Sequence, residues 1–384
     1  MKIPLYKIFW DKDDIKAVVR VLRRGSYWTI GPEIKEFEER LADYVGVDYA
    51  VIFNSGTSAL HAAMLAYDVK PGDEVIVPSF TFIATANAAL FVGAKPVFAE
   101  IEEERYGLDP KDVANKITPK TKALMPIHYG GIPARIRELK EIAEDHHLIL
   151  IEDAAESLGA ITEEGRKVGT YSDAVIISFC GNKVITTGEG GAVLTNNRKI
   201  YEKLKLIRSH GRLEGDESYF HSTKRFDYIT LGFNWRVSSL TAALGISQLA
   251  KIEKAIQLRR QVAEYYTKRI TEEFKGLVRP FREPSGTRAV YQMYTIRLPW
   301  DDGTIRDKLQ QYLAKKGITT KIYFEPIHLY TLYRKLGHRE GELPRTEKIS
   351  KQVLTLPIYP TMTREEIEYV IESIKDILLS LIHI

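Results

Sequence analysis

Cysteine is nearly absent. Cys180 stands alone in a chain of 384 residues, which excludes an intramolecular disulfide framework and a cysteine-rich metal site. The histidines His61, His128 and His210 lack metal-ligand spacing, so no metal is expected. Long apolar runs are missing as well. None approaches the roughly 20 residues of a bilayer-spanning helix, and the closing Ile377–Ile382 run continues an amphipathic helix begun near Thr363. Nor is there an excess of one charge. The net +4 is spread along the chain rather than gathered in a basic arm, which argues against nucleic acid while leaving a mild attraction for anions. The opening residues soon meet Asp11, Asp13 and Asp14 and carry no signal-peptide pattern, so the expectation is a cytoplasmic protein with no membrane partner.

What is present is an alternation. At this length two hydrophobic cores are expected. The spacing predicts strands over Tyr49–Phe53, Glu74–Pro78, Pro96–Ile101, Ala123–Ile127, Leu148–Glu152 and Ala174–Phe179. Helical patterns lie between most of them, over Ser58–Tyr67, Ile83–Val92, Pro110–Lys116 and Ile136–His146. Short Val/Ile-rich strands separated by helices predict an α/β fold, a mostly parallel sheet flanked by helices. Gly188-Glu-Gly-Gly191 predicts a tight return into one further, antiparallel strand over Ala192–Thr195. A helical stretch over Ser238–Phe274 has no strong breaker. Beyond it, strands over Tyr291–Leu298 and Thr319–Phe324 and helices over Ile305–Lys316 and Arg364–Ile382 predict a smaller α+β domain. The division expected is a large domain over 1–250 and a small one over 251–384.

Chemistry concentrates at strand ends, where ligands of such sheets gather. A lysine is ordinarily a solvated surface charge. Lys183, however, lies in a segment with no other charge between Asp173 and Glu189. Asp153 ends another apolar strand; a helix N-cap is one reading of it, a charge-assisted partner for a basic ring nitrogen the other. An amine and a carboxylate so placed suit pyridoxal phosphate, whose aldehyde takes the amine and whose ring nitrogen needs an anion. Asn54-Ser-Gly-Thr-Ser-Ala-Leu60 follows a strand and opens a helix, so the amides of Gly56 and Thr57 suit a phosphate, and Ser55 or Thr57 also suits a plain cap. Ser178, five residues before Lys183, adds a hydroxyl. Phe82 suits a ring stacked on the cofactor and, nearly as well, a core phenylalanine.

Six segments occur in a characteristic order: Gly31–Glu38, Asn54–Leu60, Pro71–Pro78, Glu152–Glu156, Ser178–Gly191 and Gly232–Arg236. On these the chain resembles the DegT/DnrJ/EryC1/StrS sugar aminotransferases, fold-type-I pyridoxal-phosphate enzymes. The resemblance implies that Lys183 forms the Schiff base, Asp153 pairs with the pyridine nitrogen, Phe82 stacks, and Gly56, Thr57 and Ser178 hold the phosphate. It also implies a homodimer with shared sites, Asn234 reaching the neighbouring subunit's phosphate. Glu156 stands where many relatives have glutamine or histidine near the ring hydroxyl. The segment around it, with Gly181–Gly188, is similar to perosamine-synthase-like members, which implies L-glutamate as donor and a GDP-linked keto sugar as acceptor. Tyr323-Phe-Glu-Pro-Ile-His328 resembles a substrate-bordering segment, so Tyr323 and His328 become candidate sugar contacts. A deoxysugar dehydratase on the same scaffold and a non-catalytic regulatory homologue are the rival readings. Relatives of the dehydratase kind carry histidine in place of the lysine. Residues 212–228 carry no family signature.

Overall fold

The structure, a computed structural model, describes residues 1–213, 223 and 225–382. Most of 212–228 therefore lies outside the described residues. Strands β1 (Tyr49–Phe53), β2 (Glu74–Pro78), β3 (Lys95–Ala99), β4 (Thr121–Leu124), β5 (Ile149–Asp153), β6 (Ala174–Ser178) and β7 (Gly191–Thr195) form one sheet, ordered β1-β7-β6-β5-β4-β2-β3. Pairings from β3 through β6 are parallel. β7 runs antiparallel to both β1 and β6, as the tight Gly-Gly return predicts, and Ser178 faces Gly191 across the β6–β7 ladder.

The strands read as continuous apolar runs because both faces are covered. Along β6, Ile176 packs with Val51, Phe53 and Val193 on one side. Its neighbours Val175 and Ile177 pack with Ile52, Phe37 and Leu194 on the other. Successive side chains point to opposite faces, so each face acquires its own core. The helix Gly56–Ala66 starts where β1 ends, and Ser55 Oγ caps it by accepting the Ser58 amide at 3.0 Å.

The long helical stretch is two helices, Ser239–Leu249 and Ile252–Phe274. No glycine or proline breaks it. At Lys251 the backbone leaves helical geometry (φ −115°), and its ammonium reaches Asp11 at 2.6 Å and Asp14 at 2.9 Å. Tertiary ion pairing there overrides propensity. Along the second helix Ile252, Ala255 and Ile256 pack into the large sheet's core. Val262, Tyr266 and Ile270 pack into another, which also takes in Ile3 from the opposite end of the chain. That second core covers the antiparallel strands β8 (Arg279–Pro280), β9 (Tyr294–Arg297) and β10 (Val353–Leu356), ordered β10-β9-β8. The strand expected over Thr319–Phe324 does not form. Lys321 alone bridges Thr355, and the chain then leaves the sheet. No helix among the described residues is long and apolar enough to cross a membrane.

Candidate active site

The carboxyl ends of β1, β2, β5 and β6 converge on a cavity of ≈ 500 Å³ whose lining includes Gly56, Thr57, Phe82, Asp153, Glu156, Ser178, Lys183 and Tyr323. A larger groove of ≈ 1020 Å³ runs along the helix Ile252–Phe274, lined by mixed charges such as Arg260 and Glu283, and gathers none of these groups.

Asp153 ends β5, and it caps no helix. Its Oδ2 accepts the Thr85 hydroxyl at 2.8 Å and its Oδ1 the Ala155 amide at 3.2 Å. Thr85 in turn meets Thr81 Oγ1 at 2.9 Å. Burial pushes the Asp153 carboxyl above its ordinary value, and the Thr85 bond and the Lys183 charge only partly offset this. An anion left so incompletely balanced has a place for one more positive partner. Directly before it, Glu152 is fully buried and accepts from His128 Nε2 at 2.9 Å, Ser172 Oγ at 2.7 Å and the Gly169 amide at 3.0 Å. Burial works to raise this carboxyl too, but here the donors win and hold it low. Because His128 Nδ1 accepts the Ala134 amide at 3.0 Å, the ring's proton sits on Nε2. His128 is thereby committed to structure.

Lys183 lies in the turn between β6 and β7, its side chain only 14% exposed, with Nζ 3.5 Å from Glu156 Oε1. The Gly130 amide donates to Glu156 Oε2 at 3.1 Å. Burial raises the Glu156 carboxyl, with Lys183 pulling the other way. Gln292 steadies the turn by donating its amide to the Asn182 carbonyl at 2.6 Å. The glycines explain how the turn fits. A Cβ on Gly191 would lie 2.4 Å from the Ser55 carbonyl oxygen, and one on Gly56 would lie 3.1 Å from Ser178 Cβ. Only bare backbone lets the lysine turn, the helix start and the serine hydroxyl close in on one spot. Amides in a first helical turn lack intrahelical acceptors, so Gly56 and Thr57 offer donors at the positive end of a helix dipole, and Ser178 at the end of β6 adds a hydroxyl beside them.

The Phe82 ring is 62% exposed beside the cavity, which removes the core reading of that residue. Tyr323 also lines the cavity. His328 does not, and the expectation of a sugar contact there is corrected. Its ring is wholly buried between Ser79 Oγ, 2.7 Å from Nδ1, and Glu347 Oε1, 3.1 Å from Nε2, so both nitrogens are taken up in joining β2 to the C-terminal segment. Asn234 is exposed, outside the cavity of the single chain, in a bridge to Ser209.

Sequence reasoning missed Thr85 and Tyr6, both on the cavity wall. Thr85 lies three residues past Phe82 at a helix start, where a hydroxyl reads as a cap; its bond to Asp153 spans 68 residues and leaves no local signal. Tyr6 comes from the far end of the chain and carries none either.

These residues fit pyridoxal phosphate: a carboxylate short of a cation, an enclosed amine, and a glycine-bared cradle of donors at a helix start. The comparisons with known proteins point the same way. Residues 9–375 match the model of the DegT/DnrJ/EryC1/StrS aminotransferase family. A GDP-perosamine synthase of Caulobacter vibrioides is 36% identical over 350 residues, 91% of each chain. A pleiotropic regulatory protein of Geobacillus stearothermophilus is 35% identical over 367 residues, 95% of this chain and 94% of its own. Among solved structures, DesV of S. venezuelae superposes with a TM-score of 0.87 at 33% identity, covering 98% of each chain. The mostly parallel, helix-flanked sheet is the fold-type-I scaffold, and the chain belongs to the DegT/DnrJ/EryC1/StrS aminotransferase family.

Proposed function

We propose that this protein is a pyridoxal-phosphate-dependent aminotransferase that carries the amino group of L-glutamate to a nucleotide-linked keto sugar. A GDP-linked 4-keto-6-deoxyhexose is the favoured acceptor. The observation that carries the reading is the Lys183 amine sharing one cavity with the cation-deficient Asp153 carboxylate and the Gly56–Thr57–Ser178 cradle. Pyridoxal phosphate, when bound, supplies an aldehyde for amines and a ring that draws an electron pair off the attached carbon.

The chain's residues divide the remaining work. Asp153, oriented by Thr85 and the Ala155 amide, holds a proton at the ring nitrogen. Lys183 Nζ would be the proton carrier, accepting the proton that leaves the amine-bearing carbon of glutamate and, in the second half-reaction, delivering one to the sugar carbon that gains the nitrogen. Glu156, fixed by the Gly130 amide and raised by burial, would stand beside the ring hydroxyl. Phe82 would cover a face of the ring, and the first-turn amides with Ser178 would hold the phosphate. In a homodimer Asn234 reaches the phosphate of the neighbouring subunit's site. Because glutamate must surrender its amino group and depart before the sugar can take it, ping-pong kinetics would follow.

The GDP-perosamine synthase relative supports the sugar acceptor, and the regulatory relative supports the non-catalytic rival. The intact Lys183–Asp153 pair favours catalysis, and lysine rather than histidine at 183 disfavours the dehydratase. The test is spectroscopic and then chemical. L-Glutamate should bleach the visible band of the reconstituted protein, and a panel of GDP-, UDP- and dTDP-linked keto sugars should restore it with an amino sugar found by mass. A Lys183→Ala variant with normal turnover would end the proposal.

A further inference from the structure

The cofactor's needs leave part of the cavity lining unexplained, notably Tyr6 from the N-terminal segment and Tyr323 from the segment after Ile318. Ile3 pairs in parallel with Ile318 in an isolated bridge. The Ile3 amide donates to the Gly317 carbonyl and the Thr319 amide to Ile3, both at 2.9 Å. Each segment then brings a tyrosine to the cavity, Tyr6 and Tyr323. The first segment is fastened on both sides of Tyr6. The Ile358 amide donates to the Leu5 carbonyl at 3.1 Å, Lys7 pairs with Glu366 at 3.0 Å and lies over the Tyr359 ring, and the Phe9 carbonyl accepts Gln248 Nε2 at 3.0 Å. Tyr6 is thus carried by a strap tied to the C-terminal body at residues 3, 5 and 7 and to the large body at residue 9.

Its phenol stands over the lysine turn. A Cβ built on Gly181, two residues before Lys183, would lie 3.8 Å from the Tyr6 hydroxyl. Tyr6, Tyr323 and Glu156 all line the cavity, and burial raises the Tyr323 phenol, with Glu156, Tyr6 and Cys180 raising it further. A keto sugar presents hydroxyls and a carbonyl that phenol hydroxyls can bind, and Tyr6 and Tyr323 have no part in the cofactor contacts assigned above.

We infer that Tyr6, presented by the N-terminal strap beside Tyr323, is a specificity-determining residue whose hydroxyl hydrogen-bonds the sugar of the acceptor. The inference rests on the aminotransferase reading and deepens it. Its test is Tyr6→Phe, which keeps the ring and its packing, followed through each half-reaction separately by the cofactor's absorbance. The probes are L-glutamate for the first half-reaction and GDP-4-keto-6-deoxymannose for the second, with the matching UDP- and dTDP-linked keto sugars if the wild type takes those instead. The expected result is a loss of about 10-fold in kcat/KM for the sugar, carried mainly by KM, with a much smaller change for glutamate and an unaltered cofactor spectrum. Equal kcat/KM in variant and wild type overturns the inference alone. So does an equal loss in both half-reactions, which marks Tyr6 as a packing residue. A wild type that bleaches with glutamate yet takes no nucleotide sugar overturns the acceptor reading, and the role of Tyr6 falls with it.

Discussion

Replacing Asp153 with asparagine removes a charge while keeping the shape. In the native site Thr81 donates to Thr85, and Thr85 donates to Asp153 Oδ2 at 2.8 Å. With an amide nitrogen at that position both hydroxyls turn over, so that the amide donates to Thr85 and Thr85 to Thr81. The Ala155 amide keeps its oxygen acceptor at the other position. No hydrogen bond is lost, and the charge is tested alone. Burial raises the Asp153 carboxyl, so the folded, cofactor-free protein binds a proton there that the unfolded chain has already released. The stability this provides is complete below the ordinary carboxylate pKa of about 3.9 and is lost as pH rises through the raised native value. The cofactor-free asparagine variant should therefore melt at or above the wild-type temperature at neutral pH, with a flatter pH dependence on the acid side. Catalysis should move the opposite way. Loss of one preorganised electrostatic group typically costs about 10²–10³ in kcat, or about 2.7–4 kcal/mol. Scanning fluorimetry of the cofactor-free proteins and single-turnover bleaching by glutamate measure the two effects. A variant that transaminates within about tenfold of wild type, or whose cofactor-free form melts far below it at neutral pH, refutes the reasoning.

Three other outcomes are expected. His328→Ala opens a cavity and removes the ring partner of the Ser79 hydroxyl and of Glu347, which keep only backbone donors, and urea unfolding should show a loss of about 2–4 kcal/mol, while KM for the sugar well below the melting temperature stays at the wild-type value. Mixing inactive Lys183→Ala with inactive Asn234→Ala subunits should restore about a quarter of wild-type activity, because each mixed dimer holds one intact site; no recovery after confirmed subunit exchange would remove the shared-site arrangement. Gly191→Ala drives a methyl group toward the Ser55 carbonyl oxygen, and should cost about 1–3 kcal/mol of stability together with weaker pyridoxal phosphate binding by absorbance titration.

Much of the fold was legible because its signals are local. β1 and β2 and the helix Arg364–Ile382 fall where the patterns put them, and the antiparallel return at Gly191 was announced by its glycines. Where the sequence misled, a distant partner decided. The break at Lys251 answers to carboxylates on the chain's first helix, and the segment Thr319–Phe324 exchanges strand pairing for a place at the cavity. The site divides in the same way. Asp153 stands at a strand end and Lys183 in the turn just past another, both visible in the apolar pattern, whereas Thr85 and Tyr6 join them only through the topology. His328 misled because a histidine near a substrate-bordering segment looks the same in sequence whether its ring faces the ligand or the core.

The reversed strand β7 has one further consequence. With Ser178 and Gly191 opposite each other in the ladder, the Lys183 amine rides on a closed loop whose neck is a pair of interior strands. A side chain borne on an ordinary surface connection can loosen while the scaffold stays intact; this one is freed only when the middle of the sheet parts. Heat inactivation and global melting should therefore arrive as one event.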